Sequence, residues 1–200
     1  MRHQIMLTLT VLTILQGVME AAGQSPPPRP TFDCAKASGE VETLICKDEG
    51  LIALDRRMAE VFAAALKKWP AKTAAEERKH QRGWNTERNE CANADDMRAC
   101  VDVTYRMRIV ELQIKSGQLK PPPAPVGYTC TGGDDKSLTA TLYPQTDPPS
   151  ALITYGPDRV VAFVARSASG ARYTAPNVEF WERDGEATVT WFGIKLACRP

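Results

Sequence analysis

Two hydrophobic periods divide the chain. Up to about residue 115 apolar residues recur every three or four positions, and beyond about residue 128 they alternate with polar ones. Leu51, Leu54, Met58, Val61, Phe62 and Ala65 form one helical stripe, with Asp55, Arg56, Arg57 and Glu60 on the other face. Trp69-Pro70 ends that helix, because proline removes a backbone donor and restricts the residue before it. A second helix is predicted over 73–90 with Trp84 as its anchor. A third runs from Asp95 to Lys115, with Val103, Met107, Val110 and Ile114 inward and Gly117 as its stop. In the alternating part, "SLTATLYP", "SALITYG", "RVVAFVARS", "VEFWER" and "EATVTWFG" are β-rich runs broken by Gly, Pro, Asp and Asn.

The change of period falls at "GQLKPPPAPVGY", whose prolines favour an extended, semi-rigid spacer. The fold class is therefore α+β as two domains: a small disulfide-stapled helical unit over 31–117, a Pro-rich linker over 118–126, and a small antiparallel β unit, barrel or sandwich, over 127–200. The first 23 residues carry an Arg, an apolar run from Ile5 to Val18 and small residues at Ala21, Ala22 and Gly23, the pattern of a secretory signal peptide. No Cys lies near that junction, so no lipid anchor is expected, and the address is periplasmic or secreted.

Six cysteines agree with an oxidising address. Cys34, Cys46, Cys91 and Cys100 all fall near one end of the helical unit and allow three pairings, of which Cys34–Cys46 with Cys91–Cys100 closes the shortest loops. A Cys130–Cys198 bridge would tie the two ends of the β unit. A zinc site is not expected, because there is no CxxC and His80 is the one histidine beyond the leader.

Composition narrows function mainly by exclusion. A net charge of +1 offers neither a nucleic-acid footprint nor a polybasic membrane patch. There is no G-x-S-x-G elbow, and the single His80 belongs to the other half from Ser169, so a Ser-His-Asp set does not assemble. Asp134 and Asp135, beside Gly132 and Gly133, read as solvated turn carboxylates. No catalytic residues, no cofactor and no metal are expected.

The stretch "SASGARYTAPNVEFWERDGEA", residues 167–187, stands apart. Ser167-Ala168-Ser169-Gly170 turns the chain with little bulk, and Asp184-Gly185 suits a tight hairpin with Arg183 just before it. A hydroxyl and a guanidinium fork on slim protrusions can grip carboxylates in a cleft. The same residues also read as a polar turn and a solvated hairpin arginine.

"YTCTGG" at 128–133, "SASGARY" at 167–173, "FWERDGEA" at 180–187 and the terminal "CR" at 198–199 resemble the membrane-bound lysozyme inhibitors of c-type lysozyme. That resemblance implies an eight-stranded antiparallel barrel closed by Cys130–Cys198. It also implies a Ser and a cation entering the lysozyme cleft to bond its catalytic carboxylates, roles that fall on Ser169 and Arg183. Ser167, Gly170 and Tyr173 complete the implied lysozyme-binding set. Arg183 stands where the family has Lys, and Asp184-Gly185 reverses the family's Gly-Asp order. In the first half, "FDCAKASGEVETLIC", "LIALDRRM", "QRGWNTERNEC" and "YRMRIVEL" resemble the N-terminal domain of LprI-type lysozyme inhibitors. Asp55-Arg56 and Trp84 are expected to act there as fold determinants.

The function expected is a non-enzymatic, exported inhibitor that plugs the active-site cleft of a lysozyme, with homodimer formation left open. The alternative is a periplasmic envelope-binding module for a cell-wall glycan or a protein partner.

Overall fold

The computed structural model describes residues 28–119, 124–134 and 136–200. The leader at 1–23, the centre of the linker and Asp135 lie outside the described residues. Four α-helices, α1 (Gly39–Lys47), α2 (Glu49–Lys68), α3 (Ala71–Asn89) and α4 (Met97–Lys115), precede eight strands.

One more helix forms than the periodicity suggests. Helix α1 carries Cys46 in its last turn, is stapled through it to Cys34, and buries Val41 and Ile45. Its side of the chain breaks at Asp48, an extended residue that ends α1 and caps α2 by accepting from the Leu51 amide at 2.9 Å. Cys91 and Cys100 are bonded across the short connection into α4. A unit this small buries little apolar area, and two short staples at one end compensate.

Two positions depart from the sequence-based pattern. Asp55 lies inside the helical unit, 2% exposed, not on the polar face of α2. Its Oδ1 accepts from the Tyr105 hydroxyl at 2.9 Å and its Oδ2 from the Thr31 amide at 2.6 Å. Arg88 donates to the same Tyr105 oxygen at 2.8 Å, and Trp84 meets the Tyr105 ring edge-on at 5.3 Å. Partnering is what makes such a burial tolerable.

Helix α4 supplies the other departure. The residues facing the helical core are Val101, Tyr105, Ile109 and Leu112. Val103, Met107 and Ile114 pack instead with Val110 against Val161, Phe163 and Leu152 of the β half. Positions 101 and 103 differ by about 200° around a helix, so α4 carries two apolar stripes on opposed faces. The proline-linked halves therefore share a third core.

The β half is a closed barrel in which each strand pairs antiparallel with the next: β1 (Val126–Thr131), β2 (Leu138–Tyr143), β3 (Ser150–Tyr155), β4 (Asp158–Ala165), β5 (Ala171–Ala175), β6 (Val178–Arg183), β7 (Glu186–Trp191) and β8 (Ile194–Arg199). Closure comes from the β1–β8 ladder, where Cys130 faces Cys198 and the two are disulfide-bonded. Leu138, Ile153, Tyr155, Ala162, Phe180, Val189, Trp191 and Leu196 fill the interior. Strand β4 is apolar on both sides: Val160 and Ala162 belong to the barrel core, while Val161 and Phe163 meet α4. That is why "VVAFVA" is a continuous apolar run and not an alternating one.

The up-and-down order gathers the 144–149 and 166–170 loops, the Asp184-Gly185 turn and the two barrel ends Val126 and Arg199 at one rim. Four of the candidate residues, Ser167, Ser169, Gly170 and Arg183, sit there.

Candidate lysozyme-binding rim

The β6–β7 connection is a two-residue hairpin. Arg183 pairs with Glu186, and Asp184 and Gly185 both take positive φ, 55° and 78°. Two consecutive left-handed residues make the hairpin turn whose twist matches its strands, and an Asp-Gly pair is suited to it. The reversed order relative to the family's Gly-Asp thus still closes a tight turn.

The β4–β5 loop is held against that hairpin. Gly170 has φ 69°, and a Cβ on it would fall 2.1 Å from the Glu182 carbonyl oxygen and 3.0 Å from Arg183 Cβ. Only a residue without a side chain lets the loop approach this closely. The loop also closes on itself: the Ser167 hydroxyl donates to the Ser169 carbonyl and accepts from the Ser169 amide. Trp181 fixes the same carbonyl from the hairpin side, its Nε1 donating to Ser169 O at 2.9 Å. The Arg183 guanidinium lies over the Trp181 ring, 5.2 Å from its centroid. A cation stacked on indole keeps its N–H edge free.

Four of the five candidates therefore meet in one place with divided labour. Ser167 and Gly170 shape the loop. Among the described residues the exposed Ser169 hydroxyl has no hydrogen-bond partner, and Arg183 has only a loose 3.6 Å approach to Asp184. Both tips can accept a new partner. Tyr173 is placed differently: it is half-buried, stands opposite Phe180 in the β5–β6 ladder and packs on the barrel core. Burial pushes the Tyr173 and Tyr128 phenols above their ordinary range, with the Glu182 carboxylate adding to it. Both rings stay neutral near pH 7 and serve as apolar filling at the barrel mouth.

The residue missed in the sequence is Trp181. Its signal was present, because residues two apart in a strand share a face, and Trp181 precedes Arg183 by two.

Among the described residues no helix is long and apolar enough to cross a membrane. Residues 128–196 match the family described as membrane-bound lysozyme-inhibitor of c-type lysozyme. Over 197 residues the chain is 34% identical to proteins named Lipoprotein LprI from Mycobacterium bovis and Mycobacterium tuberculosis, covering 98% of this chain and 96% of theirs. No solved structure matches it. Helical unit, linker and barrel thus occur together in relatives of almost the same length, and the chain belongs to the LprI family, with a lysozyme-inhibitor barrel as its second half.

Proposed function

We propose that this protein is an exported inhibitor of c-type lysozyme that seats its barrel rim in the enzyme's active-site cleft. Lysozyme hydrolyses peptidoglycan with a protonated carboxylic acid and a second carboxylate. The observation that carries the proposal is the pairing of a partner-free Ser169 hydroxyl with a stacked, exposed Arg183 guanidinium on two abutting tips. The hydroxyl can donate to one carboxyl oxygen while the fork neutralises the ionised partner. Arg183 in place of the family's Lys keeps the charge and gains a planar surface that the Trp181 ring supports.

No chemistry by the inhibitor is needed, since occupying the cleft suffices. Trp191 is buried in the barrel and Trp181 is engaged with Ser169 and Arg183, so neither offers an open platform for a sugar ring. An envelope address fits lysozyme as the partner, because peptidoglycan lies there too. The test is a lysis assay of purified mature chain against c-type and other lysozymes, with a cleft-filling chito-oligosaccharide as competitor. Inhibition of the c-type enzyme that the oligosaccharide relieves is the expected result. Inhibition indifferent to the oligosaccharide, or none at all, contradicts it.

A further inference from the structure

Helix α4 runs antiparallel to β4. Near its middle, Arg106 Nη1 reaches the Asp147 carbonyl at 3.5 Å, in the loop at the candidate rim. Near its C-terminus, Glu111, Ile114 and Lys115 line one cavity with Arg159, at the far end of β4. Between them Val103, Met107, Val110 and Ile114 seat the helix on Val161, Phe163 and Leu152. The N-terminal end of α4 therefore points past the rim that holds Ser169 and Arg183. From Arg106 to Met97 a helix rises about 13 Å. The Cys91–Cys100 staple and the exposed run 92–96 lie at that overhanging end, with Ala99 exposed on the helix itself.

Strand β4, on which α4 rests, leads directly into the 166–170 loop. The overhang and the loop thus project from the same end of the barrel, the loop on the rim itself and the overhang beside it on the α4 side. Stable protein–protein interfaces bury about 800 Å² on each partner, from roughly 20–30 residues. A five-residue loop and a two-residue turn supply only part of that.

We infer that the overhanging end of the helical unit, residues 92–100, is a second jaw that contacts the flank of the same lysozyme molecule gripped by the rim. This rests on the rim being the lysozyme-binding site. It assigns the helical half a direct share in affinity and explains why α4 carries an apolar stripe that locks it onto the barrel: the stripe fixes the spacing of the jaws. Free rotation about the proline linker would leave that spacing undefined.

Hydrogen–deuterium exchange on the full mature chain, with and without c-type lysozyme, distinguishes the outcomes. Protection of 92–100 together with 166–170 and the 184–185 turn is expected. An Ala99→Trp variant adds bulk at an exposed site and is expected to weaken binding by about tenfold at unchanged thermal midpoint. Pro157→Trp, on the opposite rim, controls for bulk and is expected to bind normally. Protection confined to the rim, with Ala99→Trp binding at full strength, overturns the second jaw while leaving the rim site standing. Protection at neither place, in a chain that still binds, removes the rim site and the jaw with it.

Discussion

The indole nitrogen of Trp181 donates to the main-chain oxygen of Ser169 at 2.9 Å, joining the tip of one barrel loop to the strand of the next hairpin. The same ring carries the Arg183 guanidinium on its face. One side chain thus sets the positions of both groups proposed to meet the lysozyme carboxyls. Trp181→Phe keeps an aromatic ring under the guanidinium and deletes the donor. A neutral intramolecular hydrogen bond contributes about 1 kcal/mol to folding, so a slightly lowered thermal midpoint is expected, together with weaker lysozyme binding because the Ser169 tip is no longer fixed. Trp181→Ala removes the stack as well and should cost more. Equal affinity for parent and Trp181→Phe, measured by calorimetry, would show that Ser169 is held by its loop alone.

Gly170 tests the abutment of the two tips. Its φ is positive, and a methyl carbon added to it would lie 2.1 Å from Glu182 O, so there is no space for a side chain. Gly170→Ala must push the loop away from the hairpin or strain both. A backbone held in a sparsely populated conformation costs on the order of 1–3 kcal/mol, so a lowered thermal midpoint together with weakened binding is expected. A variant as stable and as tightly bound as the parent would contradict the close packing.

In the helical unit the buried triad of Asp55, Tyr105 and Arg88 is the equivalent structural commitment. Burial pushes the Tyr105 phenol far above its ordinary range, so it remains a donor to Asp55 at any physiological pH. Tyr105→Phe leaves Asp55 Oδ1 without that donor in the interior. Such an orphaned group costs about 1–3 kcal/mol, readable as a shifted urea midpoint. No shift would mean that water replaces the hydroxyl.

Asp48 gives the acid limb of stability. The Arg98 side chain, then the Leu51 amide, hold its carboxyl below the ordinary value of 3.8. A depressed folded value means stability that is present in full above the unfolded value and is lost as pH falls through the folded one. Asp48→Ala should cost about 1 kcal/mol at pH 7 through the lost cap of α2. The gap between variant and parent should hold above the ordinary value of 3.8 and narrow only as pH falls from there through the still lower folded value, where the parent's carboxyl becomes protonated. A gap that persists there would assign the loss to packing instead of charge.

Much of this architecture is legible in the chain itself, and the exceptions have physical causes. The switch of period marks the two halves, and Asp184-Gly185 marks the hairpin. The stripe Val103, Met107, Val110 and Ile114 is visible as apolar, but periodicity does not say which neighbour covers it, and a second stripe on α4 already served the helical core. Asp55 reads as a surface residue because nothing local announces that Tyr105, fifty positions away, will partner it. Strands β1, β5 and β8 give weak signals, since short, half-buried strands such as "ARYTA" lack a strong apolar alternation. At the rim, Ser169 and Arg183 stand out by residue type, whereas their abutment depends on the barrel register and could not be read from spacing.

The most direct measurement is titration calorimetry of c-type lysozyme with the full mature chain and with Ser169→Ala and Arg183→Ala. Both side chains are exposed, so folding stability should change by less than about 0.5 kcal/mol. In the proposed grip each truncation would leave a carboxyl unpaired in a water-excluded cleft, and such an anchor contributes about 2 kcal/mol or more, roughly a thirtyfold change in affinity. Arg183→Ala should lose more than Ser169→Ala, Arg183→Lys should bind comparably to the parent, and the double variant should lose less than the sum. Unchanged affinity in both single variants, with inhibition intact, would contradict a grip centred on Ser169 and Arg183.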